Sequence, residues 1–157
     1  MADLLQVQLL FADDKKSKAL RLLQEIEEKA LAIGLGIVDE SVIDEINILN
    51  ATKQAMRQAI ANLKIKPDLV LIDAVRLEGL EMAQENIIKV DARSLSIAAA
   101  SIVAKETRDA MMAAYDDIYP GYNFAKHKGY GTAEHMQAIR ELGPSPIHRR
   151  SFIKNIH

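Results

Sequence analysis

The most constraining stretch of this sequence is Leu69-Val70-Leu71-Ile72-Asp73, a four-residue apolar run that follows Pro67 and ends on a carboxylate. The proline breaks whatever precedes it, and a short apolar run bounded in this way reads as a β-strand. A strand set among long segments of helical periodicity limits the fold to α/β or α+β. Asp14–Ala32 carries Leu20, Leu22, Leu23, Ile26 and Ala30 on one stripe, and Val42–Leu63 repeats the pattern behind a cap at Asp39 or Ser41. Ser96–Tyr115 is a third helix whose first half, Ile97–Ala104, is apolar almost all round and is expected to be buried. Ala133–Leu142 is a last short helix, preceded by the turn Tyr119-Pro120-Gly121-Tyr122 and closed by Gly143-Pro144.

Further strands are harder to find. Ala32-Ile33-Gly34-Leu35-Gly36-Ile37-Val38 reads as a buried strand with close backbone contacts at its two glycines. Asn86-Ile87-Ile88-Lys89-Val90-Asp91 reads as another, and Leu4–Phe11 as a half-buried or edge strand. Two or three convincing strands are few for four helices, since sheets average about five or six. A length of 157 residues fits one domain, and no second domain or internal repeat is visible.

The absence of cysteine excludes disulfide scaffolds, thiolate zinc sites and cysteine nucleophiles. No run approaches the roughly 20 apolar residues of a membrane span, and the start lacks the basic region of a signal peptide, so a cytoplasmic location is expected. The net charge of −2 conceals an asymmetry. Residues 1–120 hold 14 Lys+Arg against 20 Asp+Glu, whereas residues 121–157 hold 6 against 2 and all four histidines. A polyanion would meet this C-terminal segment first.

Asp73 and Asp91 each follow a strand and lie 18 residues apart. If those strands are neighbours, both carboxylates emerge at one sheet edge, about 4–7 Å apart, suited to Mg²⁺ or Mn²⁺. A strand-ending aspartate can equally be a turn or cap residue. Lys126-His127-Lys128-Gly129-Tyr130-Gly131-Thr132 offers cations, close backbone approach and a hydroxyl to a nucleic-acid backbone, or is a solvated loop with an anchoring aromatic. His148-Arg149-Arg150-Ser151-Phe152 adds a pair of phosphate donors or surface ion-pair partners.

Taken together, these runs resemble the type 2 ribonuclease H family, ribonuclease HII, from about Asp13 to Phe152. They are the glycine-bearing run at 32–38, Ile43-Asp44-Glu45-Ile46-Asn47-Ile48, Leu71-Ile72-Asp73, Ser96–Asp109, Tyr119–Thr132 and His148–Phe152, in that order. The resemblance implies a ribonuclease H-like mixed sheet flanked by helices. It also implies an endoribonuclease that cleaves the RNA strand of RNA–DNA hybrids, and DNA at embedded ribonucleotides, using Mn²⁺ or Mg²⁺. By motif, Asp73 and Asp91 take the places of the third and fourth catalytic, metal-holding acids. Tyr130 takes that of the tyrosine that senses the ribonucleotide 2′-hydroxyl, the group that separates RNA from DNA. Lys126, Lys128, Arg149 and Arg150 would meet phosphate, as would Lys15 and Lys16 in a shortened form of the family's Asp-Ser-Lys-Lys-Leu segment. Asp109 more plausibly holds structure than metal.

The sequence departs from the pattern in one large respect. The Asp-Glu-x-Gly-Arg-Gly strand, which carries the family's first two acids, is absent, and Val90 stands where glycine usually precedes the fourth aspartate. The expectation is therefore an N-terminally truncated single domain over residues 1–157, lacking one or two strands, with residues 121–157 contacting substrate. Exposed sheet edges would favour self-association. The alternative is a catalytically inactive nucleic-acid-binding remnant.

Overall fold

The computed structural model describes residues 14–73, 75–87 and 95–154. Helix α1 spans Asp14–Lys29 and α2 Glu40–Ala61; strand β1 is Leu69–Asp73 and β2 Ala83–Ile87; α3 is Leu95–Ile118, α4 Phe124–His127 and α5 Ala133–Leu142, with a 3₁₀ turn at Arg150–Phe152. The expected strand at Leu4–Phe11 lies outside the described residues.

The α/β class and the helix order agree with the sequence. α1 ends at Lys29 rather than Ala32, with the last-turn lysine favourably placed against the helix dipole and bonded to Glu25 at 2.5 Å. α2 is capped by Asp39, whose Oδ1 accepts from the Val42 amide at 3.0 Å and the Ser41 hydroxyl at 2.6 Å. Its axis breaks at Asn47 (φ 68°, ψ 164°), a region that glycine ordinarily occupies. The Asn47 side chain restarts the helix by accepting from the Asn50 amide at 3.1 Å.

Residues 32–38 form no strand, contrary to the sequence expectation. A strand needs a backbone ladder, and this segment bonds instead to side-chain amides of α2 and its cap. The Ile37 N–H donates to Gln58 Oε1 at 3.1 Å, and Asn62 Nδ2 donates to the Leu35 carbonyl at 2.7 Å. Nor is the segment wholly buried, because Ile33, Leu35 and Ile37 remain substantially exposed. The anticipated close contacts are present: Gly34 and Gly36 lie directly on the Ala59 and Ala55 carbonyls of α2.

β1 and β2 pair in parallel, Leu69 with Ala83 through Asp73 with Ile87. The second strand therefore begins three residues before the expected Asn86. Its start is set by Gln84, whose amide accepts from the Leu77 N–H at 3.1 Å and donates to the Leu77 carbonyl at 2.5 Å. That pair of hydrogen bonds fastens the connecting loop, with Leu77 fully buried beneath it.

The first half of α3 is also less buried than its composition implies, since only Ile97 and Val103 are buried there. Apolar side chains are covered only where another element packs on them, and the described two-stranded sheet is too narrow to cover this helix. The tightest packing lies in the C-terminal region, where Tyr122, Phe124, Ala138 and Ile139 form a core flanked by Tyr115, Tyr119, Met136, Ile147 and Ile153. The segment expected to meet substrate is thus also the best-packed part of the described chain.

Candidate nucleic-acid interface and strand-end carboxylate

Asp73 closes β1 and is exposed. Asp91 lies outside the described residues, as does the expected separation of the two carboxylates. Among the described residues no three histidine, aspartate or glutamate side chains converge to hold a metal ion. Asp73 alone supplies one carboxylate, too few oxygen ligands for a hard divalent cation without further donors.

The basic segment is built on the C-terminal core. Asn123 and Lys128 flank α4 in left-handed conformations (φ 59° and 53°), which fold the chain tightly around Phe124. Tyr130 is 68% exposed, yet its backbone is tied down on both sides. Its N–H donates to the His127 carbonyl at 2.9 Å, and its carbonyl accepts from the Thr132 N–H at 2.8 Å and His135 Nδ1 at 2.9 Å. The Arg108 guanidinium of α3 stands 5.3 Å from the Tyr130 ring centroid. A fixed backbone presenting an open aromatic face suits stacking or hydroxyl recognition.

The cations are placed unequally. Lys126 bonds to Glu134 Oε2 at 2.6 Å, and that bond, with the Asn123 amide, holds the Glu134 carboxyl below its usual range. Lys128 is half-buried at its left-handed position. The Arg149 guanidinium lies 3.6 Å from the Phe152 ring centroid. Lys15 and Lys16 fall in the first turn of α1, and their side chains lie outside the described residues. Asp109 bonds to Lys105 at 2.8 Å, consistent with a structural role.

Sequence reasoning assigned no role to Asp44. Its carboxylate accepts from the Arg150 N–H at 2.5 Å, the Ser151 N–H at 3.2 Å and the Ser151 hydroxyl. Chiefly through that hydroxyl, it titrates below the ordinary aspartate range. This contact fastens the turn carrying Arg149 and Arg150 onto α2. The Ile43–Ile48 motif marked the residue, but no local spacing could reveal a partner more than 100 residues away.

Sequence reasoning also counted the histidines only as part of the basic segment, whereas three of them are buried in its core. His127 and His135 stack at 4.2 Å, and His135 Nε2 meets His148 Nε2 at 3.0 Å. Burial pushes both His135 and His148 below the ordinary imidazole range. The folded chain therefore resists taking up protons that the unfolded chain accepts freely. Their contribution to stability is intact above about pH 6.5 and drains away as pH falls toward the depressed folded values. The melting midpoint should accordingly be lower at pH 5 than at pH 7.5; a midpoint that rises on acidification would contradict the neutral assignment.

Comparison with known proteins adds to this geometry. A family model described as Ribonuclease HII matches residues 10–155. The chain is 56% identical over 135 residues to a ribonuclease HII of Acetivibrio thermocellus, covering 86% of this chain and 53% of that protein. It is 53% identical over 153 residues to one of Lachnoclostridium phytofermentans, covering 95% and 60%. The chain thus spans a little over half the length of the curated relatives it matches. The crystal structure of the ribonuclease H2 from Pyrococcus horikoshii OT3 superposes with a TM-score of 0.68 at 21% identity, covering 86% of this chain and 72% of that one, a likeness of fold.

Proposed function

The chain belongs to the ribonuclease HII family, a family of nucleases, and from that premise we propose that it engages RNA–DNA hybrids and DNA containing ribonucleotides through residues 121–157 and contributes to phosphodiester hydrolysis. The family match over residues 10–155 carries the reading. Tyr130 faces the ribonucleotide 2′-hydroxyl, while Lys126, Lys128, Arg149 and Arg150, with Lys15 and Lys16, neutralise phosphates. Asp73 and Asp91 would be the residues to hold a Mg²⁺ or Mn²⁺ ion, which when bound would supply charge stabilisation at the scissile phosphate. Lys126 must exchange Glu134 for phosphate in doing so, which weakens its contribution relative to Arg149.

Cleavage of a hybrid in Mn²⁺ by the 157-residue chain and by Asp73→Asn tests the catalytic half. Slow cleavage is expected, at least about tenfold slower in the variant. Robust cleavage that the substitution leaves unchanged would refute the assignment of Asp73. A second reading is nucleic-acid binding without catalysis. On that reading the 157-residue chain binds hybrid without cutting it, and cleavage should appear when a segment carrying Asp-Glu-x-Gly-Arg-Gly is supplied, fused or in trans.

Binding should be strongly salt-dependent, because phosphate contacts release counterions. Arg149→Ala should reduce the slope of log K against log salt by about 1 and weaken all sequences alike. An affinity indifferent to salt would count against the proposed surface. Among the described residues no helix is long and apolar enough to cross a membrane, and a cytoplasmic site of action accords with a nucleic-acid substrate. Self-association through open sheet edges is the further expectation, read out as a concentration-dependent mass.

A further inference from the structure

We infer that His135 and His148 are positioning residues for Tyr130, joined in a one-directional hydrogen-bond chain that runs from Ser145 through both imidazoles to the Tyr130 backbone carbonyl. The inference rests on the reading that Tyr130 contacts nucleic acid, and it deepens that reading by naming what holds the tyrosine in place.

The direction of the chain follows from its two ends. At one end His148 Nδ1 lies 2.9 Å from the Ser145 backbone nitrogen and 2.7 Å from its hydroxyl. A backbone N–H can only donate, so Nδ1 carries a lone pair and the His148 proton sits on Nε2. At the other end His135 Nδ1 lies 2.9 Å from the Tyr130 carbonyl oxygen. A carbonyl can only accept, so the His135 proton sits on Nδ1 and its Nε2 carries the lone pair. The two Nε2 atoms, 3.0 Å apart, then match: His148 donates and His135 accepts. Both rings are neutral, and every one of their nitrogens is used.

His127 fixes the same loop from beneath. Its Nδ1 accepts from the Gly129 N–H at 3.1 Å, its Nε2 lies 2.6 Å from the Tyr122 carbonyl, and its own carbonyl receives the Tyr130 N–H. The loop is thereby held by imidazoles at Gly129 and at Tyr130, while the Tyr130 ring itself stays open to solvent beside Arg108.

Such a chain tolerates no extra proton. A proton added to His135 Nε2 would set two N–H donors against each other across 3.0 Å, and one added to His148 Nδ1 would do the same against the Ser145 amide. The titratable or charged groups around the pair are His127 from α4, Arg150 from the 3₁₀ turn and the Tyr122 phenol, with Glu134 beside His127. Arg150 adds positive charge and so opposes protonation of His148. When acidification finally forces the proton in, His135 keeps its Nδ1–H but is driven off His148, and the Tyr130 carbonyl that it holds shifts with the ring.

The test uses the full chain with ¹⁵N-labelled histidine. Long-range ¹H–¹⁵N correlation at pH 7.5 should show the proton on Nδ1 of His135 and on Nε2 of His148. On titration toward pH 5, the Tyr130 amide and ring signals should move with the midpoint of the His135 imidazole. A His135 proton on Nε2, or Tyr130 signals that stay flat through that titration, would overturn the inference. Binding to a duplex with one ribonucleotide, compared with the all-DNA duplex, separates the inference from the reading beneath it. Tyr130→Ala should abolish the preference for the ribonucleotide. His148→Phe keeps a ring but removes the donor; it should lower the preference about fivefold and leave the salt slope unchanged. If His148→Phe fails to fold, Ser145→Ala, which spares the backbone N–H, should produce a smaller loss of the same kind. A preference abolished by Tyr130→Ala but untouched by the folded His148 or Ser145 variant would refute the relay. A preference that Tyr130→Ala leaves intact would refute Tyr130 as the contact, and the tautomers would then decide the relay alone.

Discussion

Gly36→Ala is expected to cost about 3 kcal/mol of folding stability, the upper end of what overpacking ordinarily does. A Cβ built on Gly36 would stand 1.8 Å from the Ala55 carbonyl oxygen and 2.7 Å from the Ala59 nitrogen. Both are backbone atoms in the interior of α2, so neither can turn aside as a side chain would. The segment at 32–38 must lift away instead, breaking the Ile37–Gln58 and Asn62–Leu35 hydrogen bonds and opening the apolar cleft between Leu35, Leu23 and Val103. Urea unfolding measures the loss. Gly79→Ala is the comparison: Gly79 has φ +74° but nothing within 4 Å of the added carbon, so only backbone strain applies, about 1 kcal/mol. Equal losses at the two positions would show that the close approach to α2 does not exist.

Phe124→Ala should cost more, about 3–5 kcal/mol. Phe124 is 2% exposed, stacks on Tyr122 at 5.3 Å, and meets His127 and His135 edge-on at 5.9 and 5.5 Å. Removing the ring leaves a cavity walled by imidazoles, which are polar enough to admit water. Water in that space would lessen the desolvation that keeps His135 and His148 neutral. The variant should therefore lose stability at neutral pH and show a shallower further loss on acidification. Phe152→Ala is the control, because that ring is exposed and its removal should stay within about 1 kcal/mol. A Phe124 variant no weaker than the Phe152 variant would mean that the core lies elsewhere.

How far the sequence disclosed this arrangement depends on the range of the interaction involved. Leu69–Asp73 and Ala133–Leu142 were legible because their apolar patterns and flanking turns are local. The two glycines at 34 and 36 were legible as close contacts, but not their partner, because α2 reaches them only through the tertiary fold. Residues 32–38 and 83–87 misled for one reason: the pattern indicates an extended chain, while ladder pairing and register are settled by Gln58, Asn62 and Gln84, whose amides resemble any surface amide in sequence. The exposure of Tyr130 and its place in a basic loop followed from composition and motif. The roles of Arg108 and Asp44 did not, since each acts on a residue far along the chain. The histidines were counted as charge, and only the hydrogen bonds around His135 and His148 assign those two as neutral.

The break at Asn47 has a mechanical consequence. Glu40–Ile46, before it, carries Asp44 and so grips the arginine-bearing turn; Ile48–Ala61, after it, carries the carbonyls on which Gly34 and Gly36 rest. A continuous helix would transmit any tilt from one attachment to the other, as a rigid rod does. The elbow at Asn47 makes them two levers on a common pivot, so the arginine turn can tilt while the glycine seat stays still.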